Sequence, residues 1–384
     1  MNRILSFQLF LAVTLITVTS VGCRKTGSSS SVGYDVEVYS PREATGFEIT
    51  KSDEGNSVML TVHKPWQGAD GQDYRLLILR DGATVPNGFE GQVINGDAKR
   101  IIAMSSTQVA MLEALGEAER LVGVSGLDFI CSPSVANRRE RPVDVGYDTS
   151  VDYEKILATK PDIVLLYGVD GNNPIEPKLR ELGIPYIYVG EYLETSPLGK
   201  AEWIVAIGEI VGCRDKAVEL YRGIASRYDS LVEKVKELDR PRVMMNAPYG
   251  DAWLMPSRDS YAARLIGDAG GEYVVSVADP DCTIAIDEEE IFMLASSADI
   301  WINTGNARTR SEFAAEVPRM TATPPFVNNR LYNNNKRRKA SGGNDYYETA
   351  VIEPDSLLAD LIMIFHPEVL PEGHTKYYRQ LDKP

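Results

Sequence analysis

The hydrophobic pattern changes character several times along the chain. From Ile4 to Val18 it is almost continuously apolar, softened by Gln8, Thr14 and Thr17, with Arg3 as the lone charge before it. Residues 34–96 carry short strand-like runs. Phe47–Lys51 and Ser57–Lys64 flank a polar Ser52–Asn56 segment suited to a hairpin turn, and Tyr74–Arg80 reads as a third strand. From Lys99 the texture becomes strand–helix alternation. Apolar runs at 100–104, 119–126, 163–168 and 184–190 enclose helical stretches near 108–115 and 177–182. Such alternation predicts an α/β sheet of buried parallel strands.

Residues 197–238 read as mostly helical. Ile204, Ile207 and Ile210 keep helical spacing up to Gly212-Cys213. A second helix then runs from about 215 to 238 with apolar positions at Ala217, Leu220, Ile224, Tyr228, Leu231 and Val235. At 1.5 Å per residue it is a rod of roughly 36 Å, stopped by Pro241. The α/β texture then restarts: strands at 242–247 and 298–305, helices at 260–271 and 355–365. A weak repeat links the halves. VDYEKILATKPDIVLLYG (151–168) and IDEEEIFMLASSADIWINTG (286–305) each run from an acidic helix start through an Asp to an apolar strand ending in Gly. The expected architecture is two similar αβ lobes on a helical rod, behind a β-rich extension.

Composition narrows the functions. At 384 residues the chain is too long for one comfortable core. Its 43% hydrophobic and 25% charged content suits a globular protein rather than a disordered or polytopic one. A net charge of −15 disfavours general nucleic-acid binding. His63, His366 and His374 are the only histidines, which excludes a His-rich metal cage. The sequence contains no GxxxxGK[ST], GxSxG or HExxH, and no GxGxxG directly after a strand. Neither a catalytic site nor a cofactor is expected. Cys131, Cys213 and Cys282 form no CxxC pair and read as small buried apolar residues, with one disulfide left open.

The N-terminus reads as a processing signal. Ser20-Val21-Gly22-Cys23 resembles a bacterial lipobox, which implies cleavage before Cys23 and diacylation of Cys23. Residues 23–33 then form a Gly/Ser-rich tether, with Arg24-Lys25 placed to favour anionic headgroups. Domains are expected at 34–96 (extension), 97–196 (first lobe), 197–240 (helical linker) and 241–384 (second lobe).

Strand ends in both halves carry small, polar or aromatic residues: Ser105, Ser106 and Thr107; Tyr167; Tyr192; Tyr249; and Thr304. Ligands of open α/β sheets sit at the carboxyl ends of strands, so these are candidate ligand-binding residues of a cleft between the lobes.

About 270 residues, from 99 to 370, resemble the substrate-binding lipoproteins of ABC importers for iron chelates and cobalamin. The resemblance rests on residues 100–126, the ILATKPDIV element (156–164), the rod at 215–238 and GGNDYYE (342–348). In the second lobe Ser296-Ser297-Ala298-Asp299 departs from the Lys-Pro-Asp pattern. The resemblance implies Rossmann-like lobes joined by a rigid helix, and a periplasm-facing, lipid-anchored monomer that hands an iron chelate (siderophore or haem) or cobalamin to a permease dimer. It also implies one docking glutamate per lobe, Glu154 and Glu290. RLYNNNKRRK (330–339) is a basic inversion in an acidic chain, so Arg337, with Arg308 nearby, becomes a candidate for an anionic ligand. Asn344 and Tyr346 of GGNDYYE complete the candidates; a tyrosine offers a flat apolar face with a polar tip. The alternative is a flavodoxin-like or hydrolase-like lipoprotein enzyme with a noncanonical site.

Overall fold

The computed structural model describes residues 33–382 except 54, 148–149, 170, 172, 249–252 and 280–282. Cys23, Tyr249 and Cys282 therefore lie outside the described residues. The extension is a five-stranded sheet in sequence order: β1 (Val36–Tyr39), β2 (Phe47–Lys51), β3 (Val58–His63), β4 (Asp73–Leu79) and β5 (Gln92–Asn95). The first four strands are antiparallel and β5 runs parallel to β4. The alternation seen in the sequence thus yields two more strands, β1 and β5, than its clearest runs predict.

The first lobe contains β6 (Ile101–Ala103), α1 (Ser106–Ala114), β7 (Leu121–Val124), α2 (Pro133–Ala136), β8 (Val143–Asp144), α3 (Tyr153–Thr159), β9 (Ile163–Leu166), α4 (Ile175–Glu181) and β10 (Tyr186–Tyr188). Its strands are all parallel in the order β10-β9-β6-β7-β8. The order reverses between β6 and β9, the switch point at which doubly wound sheets open a crevice. Every residue of β6, β9 and β10 is buried, as expected for strands covered on both faces.

Two helices form the spine. α5 (Pro197–Ile210) is buried along nearly its whole length, and α6 (Arg214–Val235) is a 22-residue amphipathic rod, about 33 Å long. Tyr228 on α6 donates a 2.7 Å hydrogen bond to Asp268 of the second lobe.

That lobe comprises β11 (Arg242–Met245), β12 (Trp253–Pro256), α7 (Tyr261–Asp268), β13 (Glu272–Tyr273), β14 (Thr283–Ile286), α8 (Glu288–Ser296), β15 (Ile300–Ile302), α9 (Arg310–Glu316), α10 (Pro324–Val327), β16 (Tyr332–Asn333), α11 (Pro354–Phe365) and β17 (Arg379–Gln380). Its parallel sheet has three described strands, β13-β11-β15. β11 and β15 stop earlier than their apolar runs predict. Asn246 and Asn303, directly after them, adopt left-handed φ of 67° and 55°, which breaks the ladder; asparagine tolerates that region better than most residues.

The extension is joined to the first lobe and to spine helix α5 by carboxylates. Glu202 of α5, fully buried, accepts from Tyr39 Oη at 2.6 Å and from the backbone N–H of Arg42, Glu43 and Ala44 at 2.7 Å each. Glu194 accepts from Thr45 N, Thr45 Oγ1, Gly46 N and Trp203 Nε1. Beside edge strand β10, Glu176 accepts from the hydroxyls of Tyr74, Tyr186 and Tyr188. The extension thereby covers one edge of the sheet, a surface otherwise open to stray strand pairing.

Candidate functional site

α1 begins at the switch point. Ser105 caps it reciprocally with Gln108. Gln108, fully buried, also accepts from Met104 N and donates to Leu166 O at the end of β9. This fixes Ser106 at the cleft. Thr107 donates to Glu191 at 2.5 Å, whose carboxyl is raised above its ordinary range by complete burial. After β7, Gly126 takes a left-handed φ of 66°, and Asp144 accepts from the N–H of Gly126 and Leu127. The tight turn carries Phe129 outward, 48% exposed, edge-on to Tyr147.

In the second lobe the three consecutive asparagines act as a scaffold. Asn333 Nδ2 donates to Gly305 O and Ala307 O, and Asn335 Nδ2 to Ala307 O. These bonds hold the loop after β15. Asn344 donates to Asn334 O and accepts from Tyr346 N.

The two sides enclose a cavity of about 320 Å³. Ser106 and Phe129 line it from the first lobe; Gly305, Asn306, Asn334, Asn335, Arg338, Asn344 and Tyr347 line it from the second, with Gly342 and Gly343 between them. Of the sequence candidates, Ser106 and Asn344 line this cavity. Ser105 and Thr107 flank Ser106 and support it from behind. Thr304 is fully buried next to Gly305. Tyr346 packs edge-on against Tyr347, Tyr377 and Tyr378.

The remaining candidates lie elsewhere. Tyr192 Oη accepts from Gln67 N of the extension, and Tyr167 O accepts from Asn173. Trp66 of the extension packs against Gly168 and Gly171, whose added Cβ atoms would meet it at 3.2 and 2.7 Å. The extension therefore occupies the β9 end of the rim. Arg308 is exposed beside α9, where its N–H is bound by Glu312. Arg337 pairs at 2.5 Å with buried Asp345. In the same basic segment Arg330 donates to Ile364 O, Lys336 to Thr375 O and Lys339 to Ile130 O. Arg338 differs: its guanidinium donates to Asn306 Oδ1 at 2.7 Å, and no acid pairs with it among the described residues. Of the other lining residues, Tyr347 belongs to the GGNDYYE motif and Arg338 to the basic segment 330–339, both singled out in the sequence, whereas Phe129 and Asn306 were missed. Nothing in the sequence around Phe129 marked it.

Glu154 and Glu290 are exposed in the first turns of α3 and α8, capped by Asp152 and Asp287, and neither lines the cavity. Cys131 and Cys213 are free and half-buried; burial is the main reason the Cys131 thiol is pushed up to about 12. No group of His, Cys, Asp or Glu suited to a metal ion occurs among the described residues. None of the helices among them is long and apolar enough to cross a membrane.

The pattern of the periplasmic binding protein family matches residues 101–335. The chain belongs to that family, a family of substrate-binding proteins. An uncharacterized lipoprotein of Methanocaldococcus jannaschii is 25% identical over 299 residues, 75% of this chain and 70% of the relative. Among solved structures, a periplasmic binding protein of Veillonella parvula superposes with a TM-score of 0.58 at 16% identity, covering 82% of this chain and 99% of its own. The periplasmic heme-binding protein RhuT of Roseiflexus superposes at 0.53 and 17%, covering 71% and 99%. At these identities the structures are similar in fold.

Proposed function

We propose that this chain is the substrate-binding lipoprotein of an ABC importer, anchored through Cys23 and facing the periplasm, and that the interlobe cavity holds its ligand. The observation that carries the reading is the composition of the cavity wall. Exposed aromatics from both lobes, Phe129 and Tyr347, face a gap whose one guanidinium, Arg338, lacks an acid partner. Aromatic faces take up a flat or apolar body, and a guanidinium without an acid partner takes carboxylate or similar oxygens. That combination suits an anionic iron chelate, a siderophore or haem. Cobalamin ranks second, because about 320 Å³ lies at the small end of ligand sites, roughly 300–1,000 Å³. A relative in Bacillus subtilis, 28% identical over 149 residues, is described as an ABC transporter substrate-binding lipoprotein, and RhuT is described as heme-binding; both support the reading. The partner is a permease dimer, met by exposed Glu154 and Glu290.

The test is thermal stabilisation of the purified protein by haem, a ferric siderophore or cobalamin. Ligand at 100 times Kd raises stability by about 2.7 kcal/mol. Arg338→Ala should weaken an anionic ligand about tenfold or more, as expected for a lost charged hydrogen bond of ~1.5–3 kcal/mol. Stoichiometric binding without turnover separates this reading from the enzyme alternative. Absence of stabilisation by all three ligands would overturn it.

A further inference from the structure

The lobes are also tied together on the cleft side. The second-lobe segment 339–348 reaches across to residues 128–132 of the first. Lys339 Nζ donates to Ile130 O at 2.7 Å, and Ser341 Oγ to Asp128 O at 2.7 Å. Gly343 passes so close that an added Cβ would sit 2.1 Å from Phe129 O. At the end of the segment, the Glu348 carboxylate accepts from Cys131 N at 2.6 Å and Ser132 N at 2.7 Å, across 217 and 216 residues of sequence. Glu348 is 1% exposed. Phe129, Gly342, Gly343, Asn344 and Tyr347 belong both to this contact and to the cavity wall. Parting the contact therefore opens the cavity.

We propose that residues 339–348 form a clasp that holds the lobes closed over the cavity, and that release of the clasp is coupled to loss of a proton from Glu348. The coupling is a matter of position. Glu348 is taken out of water, and the two charges that act on it most, Asp345 and Glu113, share its sign. Asp345 is on its own segment, and Glu113 on α1 approaches the same turn by accepting from Ser134 N. The bases of the clasp, Lys339 and Arg337, are engaged by Ile130 O and Asp345. Cys131 faces Glu348 as a neutral thiol, because burial and the neighbouring acids oppose its ionisation.

Desolvation is the largest influence on Glu348 and raises it from an ordinary 4.5 to about 7; the two amide hydrogen bonds only partly oppose it. In the opened clasp the carboxyl meets water and returns to its ordinary range. The closed form thus keeps a proton between about pH 4.5 and 7 that the open form gives up. Falling pH favours closure, and rising pH through 7 favours release. The opposite sign would follow if the amide bonds dominated.

The clasp concerns the same cavity as the binding reading, but its test needs no ligand, so the two fail separately. The measurement is amide hydrogen exchange of the full chain at pH 5 to 8, corrected for intrinsic rates and followed in a peptide covering Leu127–Val135. The buried strand β9 serves as an internal control for global unfolding. Protection at Cys131 and Ser132 should fall roughly 70-fold between pH 5 and 8, the linkage expected for a shift from 4.5 to 7. Glu348→Gln should abolish that dependence while β9 stays protected. Glu113→Gln removes a like charge and should move the fall to lower pH. Protection independent of pH in the wild-type chain, protection that rises with pH, or an unchanged pH dependence in either variant would overturn the proposal.

Discussion

The seam between the extension and the first lobe and the clasp between the two lobes use the same device to different ends. In each, a buried glutamate accepts consecutive backbone amides from a segment distant in sequence. Glu202 receives four donors and Glu194 another four. Glu348 receives two, lies close to Asp345 and Glu113, and borders a cavity. A buried charge with its acceptor sites filled is a permanent fastening, whereas one with half the donors and like-charged neighbours is held with little in reserve. The seam makes the extension a fixed part of the first lobe. The clasp leaves the lobes joined permanently at the spine and reversibly at the cleft.

The largest break in this comparison should come at the seam. Glu202→Ala strands the N–H groups of Arg42, Glu43 and Ala44 and the Tyr39 hydroxyl. At about 1–3 kcal/mol per orphaned buried donor, with some relaxation, denaturant unfolding should show a loss on the order of 4 kcal/mol. A loss under about 1 kcal/mol would mean that the extension is only loosely attached. Next comes the clasp. Gly343→Ala places a methyl against Phe129 O and should cost about 1–3 kcal/mol, as overpacking does. Exchange at Cys131 and Ser132 should rise while exchange in β9 is unchanged. A global loss of protection would show that clasp and lobes open together. The smallest effect should follow Arg42→Ala. The guanidinium meets Asp229 at 3.1 Å with both side chains at least half exposed, and such pairs contribute about 0–1 kcal/mol. A near-neutral result in thermal unfolding would sharpen the contrast, placing the seam's strength in the amides bound by Glu202 rather than in the surface charge above them.

Much of the fold was legible in local pattern. The 3.6-residue spacing from Ala217 to Val235 marked the spine because one face of a lone amphipathic helix must be covered. The apolar runs at 100–104, 163–168 and 298–305 marked strands, which the structure places, somewhat shortened, at 101–103, 163–166 and 300–302. The candidate site was legible only in outline. Strand ends pointed to Ser106, and GGNDYYE to Asn344, because strand termini and Gly-rich loops have local signatures. Which arginine faces the cavity had none: Arg337 and Arg338 are adjacent and alike, and Asp345 engages one and leaves the other.

The sequence by itself determined the main strand–helix alternation, the spine helix and the two-lobed plan, because periodicity and alternation are properties of neighbouring residues. Only the tertiary structure decided that Phe129 and Tyr347 share one cavity, that Trp66 of the extension fills the β9 end of the rim, and that Glu348 caps a turn 216 residues away. Those pairings depend on how two sheets sit against one spine. A contact between residues so far apart in the chain leaves no spacing for a local pattern to record.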